Sequence, residues 1–327
     1  MSSDGVRQRL LVRLCDGGFC SGQALATEFG LSRAAIGKHI HALKGMGVNI
    51  DAVTGKGYRL RDRLELLDAA AITAGLTGAA AGLIRRLEIL PVIGSTSDYL
   101  AAQRERIHGH AVLAEHQSAG RGRHGRSWLS PYGGSLALSL RWRFEGPPAT
   151  LSGISLALAV AVIDALEDGH ACGIGVKWPN DIIFQQQKLA GILVEMTGES
   201  LGPVDTVIGV GVNLAIPRQW VAAIDQPVID LKSIRGTDIA RNRLAAALLS
   251  NLVNCCQRFA EQGFAAFRQA WMRRDVYRDR PVSLRVGDKR WTGINCGVDD
   301  NGALLLRHGE SLRAYHAGEI EQTRFSS

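Results

Sequence analysis

The densest chemistry in the chain lies in Gly120-Arg121-Gly122-Arg123-His124-Gly125. Glycines let the backbone come close to a ligand, and the arginines offer forked cations to phosphate or carboxylate oxygens. The hexapeptide satisfies G-x-G-x-x-G, but a dinucleotide fold needs a helix to open at that point. Arg126 to Gly134, with Trp128, Pro131 and two more glycines, starts none. What remains is a basic glycine loop, either an anion cradle or a solvated loop, and the entropy cost of its glycines favours the cradle.

Three other stretches carry reactive or ligand-binding groups. Lys177-Trp178-Pro179-Asn180-Asp181, followed by Lys188-Leu189-Ala190-Gly191, offers cations for a triphosphate and oxygen ligands for magnesium near Asp181. The plain alternative is surface charge beside a buried tryptophan. Gly94-Ser95-Thr96-Ser97 is a hydroxyl patch at a strand end, able to bind a small polar ligand or to cap the next helix; taken alone, it reads better as a cap. Gly209-Val210-Gly211-Val212-Asn213 is a strand thinned by glycine, suited to close packing against a flat ligand or to a bulge.

The elements that must position these groups follow from pattern. The 327 residues imply two or three domains, and 46% apolar with 21% charged residues is a globular balance that excludes wholesale disorder. Strand-like runs (Leu87 to Ile93, Ala111 to Glu115, Leu136 to Trp142, Ile192 to Glu195, Val207 to Val212) alternate with helical ones. Ser152 to Leu166 reads as a buried helix, Asp238 to Gln262 as a long amphipathic one, and Ala69 to Leu83 as a helix opening the body. The expectation is an α+β chain with a mixed or antiparallel sheet packed by helices. After Met272, short strands between turn residues predict a small barrel-like domain. The apolar run Ile154 to Ile163 is shorter than the roughly 18 residues of a bilayer span, and the first fourteen residues form no secretory core, so a cytoplasmic protein without a membrane partner is expected. The cysteines (15, 20, 172, 255, 256, 296) match no disulfide or zinc spacing, which favours reduced thiols.

Charge is uneven. Residues 1–63 hold ten Lys and Arg against five Asp and Glu, most of the net +7. Ser21 and Ser32 are placed to cap two helices joined by a tight turn at Gly30-Leu31, and Arg33, Gly37, Lys38 and His41 fall off the apolar face of the second. Val48 to Val53 and Tyr58 to Leu60 form a hairpin with Lys56 at its tip. This describes a winged helix-turn-helix, with Ser32, Arg33, Ala34, Lys38, His41 and Lys56 as candidate DNA contacts; a helical hairpin for subunit contact is the alternative.

The loop from Gly120 to Trp128 with Ser130-Pro131, the Lys177 to Asp181 block, Lys188 to Gly191 and the Gly209 to Asn213 strand closely resemble, in this order and spacing, the biotin protein ligases. The basic N-terminal module is similar to that of the bifunctional members, which are also biotin operon repressors. The resemblance implies a winged helix-turn-helix over 1–65, a mixed-sheet catalytic domain over 66–272 and an SH3-like barrel over 273–327. It implies biotin, ATP and Mg2+ as reactants, biotinoyl-adenylate as intermediate and a lysine of the biotin carboxyl carrier protein as acceptor. It also implies operator DNA and a ligand-promoted homodimer. By similarity, Ser95, Thr96, Ser97 and Gln117 hold the biotin ring. Arg121, Gly122 and Arg123 close over the chain and adenylate. Lys188 and Gly191 meet the carboxylate and phosphate region, with Lys177 nearby. Trp128, Asn180 and Asn213 surround the adenine and its phosphates, and Asp181 assists the acceptor lysine or the metal. Ser97 and His124 depart from the usual Asn and Arg; the first still hydrogen-bonds, the second brings a titratable group. A lipoate-type ligase would carry a different lysine block and no winged helix. A ligand-sensing regulator without ligase activity would not need the full set of lysines and arginines.

Overall fold

The computed structural model describes residues 3–167 and 173–321; Cys172 lies outside them. Helices α1 (Ser3–Leu14), α2 (Gly22–Phe29) and α3 (Arg33–Gly45) precede the hairpin β1 (Ile50–Val53) and β2 (Gly57–Leu60). The caps are those the sequence predicts: Ser21 accepts from the Ala24 N–H and Ser32 from the Ala35 N–H, and Gly30 ends α2 in the left-handed region at φ 65°. Ile36, Ile40 and Leu43 of α3 meet Leu10, Leu11 and Leu14 of α1 in one core. The sequence assigns no helix to the first fourteen residues; α1 forms there because Leu10, Leu11 and Leu14 bury in the head's core.

The body opens with α4 (Ala69–Ala74) and α5 (Ala80–Leu83) rather than one long helix, since Gly75 caps the first and Gly78 turns at φ 59°. Next come β3 (Arg86–Ile93), α6 (Thr96–Ala102), β4 (His110–Gln117), β5 (Ser135–Phe144), α7 (Ile154–Glu167), β6 (Gly175–Lys177), β7 (Asp181–Phe184), β8 (Gln187–Gly198) and β9 (Val204–Asn213). The chain continues through α8 (Arg218–Val221), α9 (Leu231–Arg235), α10 (Arg241–Gln262) and α11 (Ala265–Arg274). The seven strands run β3-β4-β5-β9-β8-β7-β6, and only β3 with β4 is parallel. The polar block Lys177 to Asp181 is thus a β-hairpin joining β6 to β7, which the sequence reading did not identify as strand. Pro148–Glu167 is apolar and long enough to cross a membrane by composition, yet α7 lies in the core against α10 and α11.

The C-terminal domain holds β10 (Pro281–Val286), β11 (Lys289–Val298), β12 (Leu304–His308), β13 (Ser311–Tyr315) and β14 (Glu319–Glu321). The fifth strand was not foreseen, and the order β13-β12-β11-β10-β14 leaves the ladder open at both ends, so the pairings alone do not close the expected barrel. Trp178 ties this domain to the body by donating its indole N–H to the Gly302 carbonyl at 3.0 Å. The described cysteines are free thiols, with Cys255 and Cys256 buried.

Arg241 of α10 and Glu115 of β4 are 3% and 2% exposed and pair at 2.7 Å. Glu115 also accepts the Leu67 N–H at 2.6 Å, and Arg241 donates to the Glu65 carbonyl at 2.5 Å, so the pair clamps the head-to-body linker onto the sheet. Arg241→Met strands a buried carboxylate and is expected to lower stability by about 3–5 kcal/mol. Urea unfolding checks this, and the double variant Glu115→Gln/Arg241→Met should recover part of the loss.

Candidate functional site

The cleft opens on the sheet face covered by α6. Ser95 accepts the Asp98 N–H at 3.3 Å and starts α6, which presents Thr96 and Ser97 inward. The Thr96 N–H and hydroxyl donate to Gln117 Oε1 at 2.8 and 3.0 Å, and the Thr96 and Ser97 hydroxyls lie 2.7 and 3.0 Å from Ser139 Oγ. All of these side chains are buried. The stretch is therefore both a cap, through Ser95, and a polar bed, through its neighbours. Ser139 escaped the sequence reading because it sits in Leu136-Ala137-Leu138-Ser139-Leu140, which reads as plain core strand.

Above this bed the basic loop folds on itself. Gly122 N–H donates to Arg126 O at 2.7 Å and Trp128 N–H to Gly120 O at 2.8 Å, around a single 3-10 turn at Arg123–Gly125. His124 takes φ 55° there and is exposed. No helix begins after the glycines. The arginines and lysines in and beside the cleft each face a partner. Arg121 reaches Asp98 and Glu195, both at 2.6 Å. Arg123 donates to Asn180 Oδ1 at 3.0 Å, and burial pulls its pKa down. Lys188 pairs with Asp181 at 2.7 Å, while Lys177 lies 4.0 Å from the same carboxylate.

Arg126 forks onto Glu319 of β14, with both bonds at 2.5 Å. These bonds hold the Glu319 carboxyl below the usual carboxylate range. Asp98, Glu195 and Glu319 were not foreseen, because nothing in the local sequence announces a partner 23, 74 or 193 residues away.

Trp128 forms the far wall. Its indole lies over Gly211, where a Cβ would come within 2.4 Å of the ring, and the Lys188 ammonium sits 5.9 Å from the ring centre. Gly209 likewise makes room for the Ser97 hydroxyl, 2.7 Å from where a Cβ would stand. The glycines of β9 therefore accommodate the protein's own side chains.

Ser95, Thr96, Ser97, Gln117, Arg121, Gly122, Arg123, Trp128, Asn180, Asp181, Lys188 and Gly191 all line this cleft. Lys177 and Asn213 do not. The Asn213 amide donates to the Lys188 and Ile229 carbonyls at 3.2 Å each, which fixes the backbone that carries Lys188. The cleft is partly open to solvent and leaves about 70 Å³ between its walls, less than the roughly 300 Å³ or more of a small-molecule pocket. Ser32, Arg33, Ala34, Lys38 and His41 lie exposed on or beside α3, and Lys56 is exposed at the hairpin tip.

Removing the Glu319 charge should free Arg126 and with it the loop. Trypsin cleavage after Arg121, Arg123 and Arg126 is expected to quicken about tenfold in Glu319→Gln, in line with the loss of a charge-assisted fork. In the wild type the pair should survive as pH falls through the ordinary carboxylate range, because the folded pKa is lowered, and protection should fade only below it.

Three family models match the chain: "HTH domain" over residues 7–59, "Biotin/lipoate A/B protein ligase family" over 89–213 and "Biotin protein ligase C terminal domain" over 279–321. The bifunctional ligase/repressor BirA of Escherichia coli is 40% identical, covering 98% of each chain. Its counterpart in Bacillus subtilis is 30% identical over 93% of this chain and 94% of that one. Among solved structures, the biotin protein ligase from Aquifex aeolicus in complex with biotin and ATP superposes with a TM-score of 0.62 at 28% identity, covering 72% of this chain and 98% of that one. The chain belongs to the biotin/lipoate protein ligase family, among its bifunctional ligase/repressors.

Proposed function

We propose that this protein joins biotin to a lysine of the biotin carboxyl carrier protein in two ATP-driven steps, and that its winged helix makes the same molecule a DNA-binding repressor of biotin synthesis. The observation that carries the reading is the order of groups along one cleft. A buried hydroxyl and amide bed suits a ureido ring at one end, cations fill the middle, and an indole wall suits adenine at the other.

In the first step a biotin carboxylate oxygen attacks the α-phosphorus of ATP, the bond to the β-phosphate breaks, and pyrophosphate leaves. The carboxylate is already ionised, so no general base is needed; positioning and charge dispersal by Arg123 and Lys188 carry the step. In the second, the acceptor amine attacks the anhydride carbonyl and AMP departs; Asp181 is the carboxylate placed to take the amine proton. Asp181 is already held by Lys188 and Lys177. Magnesium enters with the nucleotide as MgATP in this reading, since Mg2+ keeps several waters and binds mainly substrate phosphates.

The exposed groups of α3 and the wing support operator recognition, with two heads of a homodimer matching a two-fold site and biotinoyl-adenylate as corepressor. The protein then works where its operator is, in the cytoplasm.

Labelled biotin, and not labelled lipoate, should enter a purified carrier domain with ATP; incorporation of lipoate instead would make the enzyme a lipoate-type ligase. Arg123→Gly should speed adenylate release about tenfold or more while slowing adenylate formation less, since a mobile cationic lid acts on dissociation. An unchanged dissociation rate counts against the lid. Gel shifts should sharpen with adenylate; no adenylate-dependent shift would leave the ligase alone.

A further inference from the structure

We infer that Arg141 is a positioning residue for the biotin site and acts through α6; the inference rests on the reading that Thr96 and Ser97 meet the biotin ring. Arg141 lies on β5 two residues beyond Ser139, so both side chains leave the same face of the sheet. In register it stands opposite His110 of β4 and Val207 of β9. It is 3% exposed, and burial lowers its pKa. Its Nη2 donates to the Leu100 carbonyl in the last turn of α6. Its Nε and Nη1 are buried with no hydrogen-bond partner among the described residues.

A guanidinium so far from water, with one protein acceptor, is a poor way to gain stability, because an apolar side chain of similar volume would fill the space without the desolvation cost. What the cation does instead is set by where its bond ends. Helix α6 has seven residues and spans about 10 Å. At its start Thr96 and Ser97 hydrogen-bond Gln117 and Ser139. At its end Arg141 holds Leu100. Between them the Tyr99 hydroxyl donates to Glu88 at 3.2 Å, and Glu88 is held in turn by His110 at 2.6 Å and Arg86 at 3.0 Å. One short rod thus carries the ring-binding hydroxyls, with Arg141 fixing how far along the sheet it sits. The indole wall and Lys188 hang on other elements, so a slip of α6 falls first on the ring-binding hydroxyls and reaches the nucleotide side only through the exposed Arg121–Asp98 pair, where Glu195 also holds Arg121.

The test uses the full chain with biotin, MgATP and a purified carrier domain. Arg141→Met should raise KM for biotin about tenfold while KM for ATP and kcat stay within about twofold, the size expected for a sub-ångström misplacement of binding groups. Arg141→Lys, which can still donate to Leu100, should recover most of the loss. An unchanged KM for biotin, or an equal rise in both KM values, overturns the role. Should Arg141→Met fail to fold by circular dichroism, Arg141→Gln, polar but too short to reach the Leu100 carbonyl, carries the test. It is then expected to raise KM for biotin about threefold without changing KM for ATP, and a flat result overturns the inference. Absence of biotin incorporation by the wild type overturns the site reading and this inference together; a flat KM in an active background overturns this inference alone.

Discussion

A cation that is partly screened from water must face an anion or a strong dipole, and the cleft of this protein is organised around that requirement. Arg121, Arg126 and Lys188 each find carboxylates before any ligand arrives, and those carboxylates come from separate parts of the fold: Asp98 from α6, Glu195 from β8, Asp181 from β7 and Glu319 from β14. The C-terminal sheet is therefore tied to the basic glycine loop. Arg123 is the exception, since its hydrogen-bond partner is the neutral Asn180 amide. An incoming phosphate has least to displace there, which gives the second arginine of the loop the freest charge in the site.

Packing imposes a second constraint. The Trp128 indole and the Ser97 hydroxyl approach β9 so closely that residues 209 and 211 have no space for a side chain. The glycines thus build the two ends of the cleft from within, one by seating the Ser97 hydroxyl and the other by seating the Trp128 ring. A strand with ordinary side chains at these positions would fill the cleft from below.

Local rules made much of this legible. Ser21 and Ser32 act as caps, apolar runs mark the long strands, and the arginine-glycine and lysine blocks bring most of the expected residues into one cleft. Where the sequence misled, the cause was tertiary. Ala69 to Leu83 has helical composition, but Gly75 and Gly78 break it. The β6 and β7 strands are only three and four residues long, too short to carry a periodic signal. Ser139 hides in an apolar run, and Asn213 spends its amide on two backbone carbonyls instead of facing the cleft. Glu319 lies in another domain, where only a long-range ion pair gives it meaning.

The head and the cleft meet at one joint. The basic loop ends at Ser130, whose carbonyl accepts from His116 at 2.7 Å and whose backbone bridges Gln117. Two residues later the Tyr132 N–H donates to the Met46 carbonyl at 2.8 Å, just past α3, and the Tyr132 ring is buried in the head's own core. Gly47 packs against Pro131 and Trp220, so the end of α3 touches both the basic loop's root and the segment that runs on to Val228, which bridges Lys188. Beside this contact lies a cavity of about 720 Å³ between Val48, Leu60 and Leu64 of the head side and Leu214, Ile216 and Ile239 of the body. The head is thus held on the body by the Tyr132–Met46 bond at the root of the basic loop, by α1 and Val92 against β3, and by the linker clamp at Glu115 and Arg241. Only Pro131 separates Ser130 from Tyr132, so the root of the loop and the end of α3 lean on one short stretch of backbone.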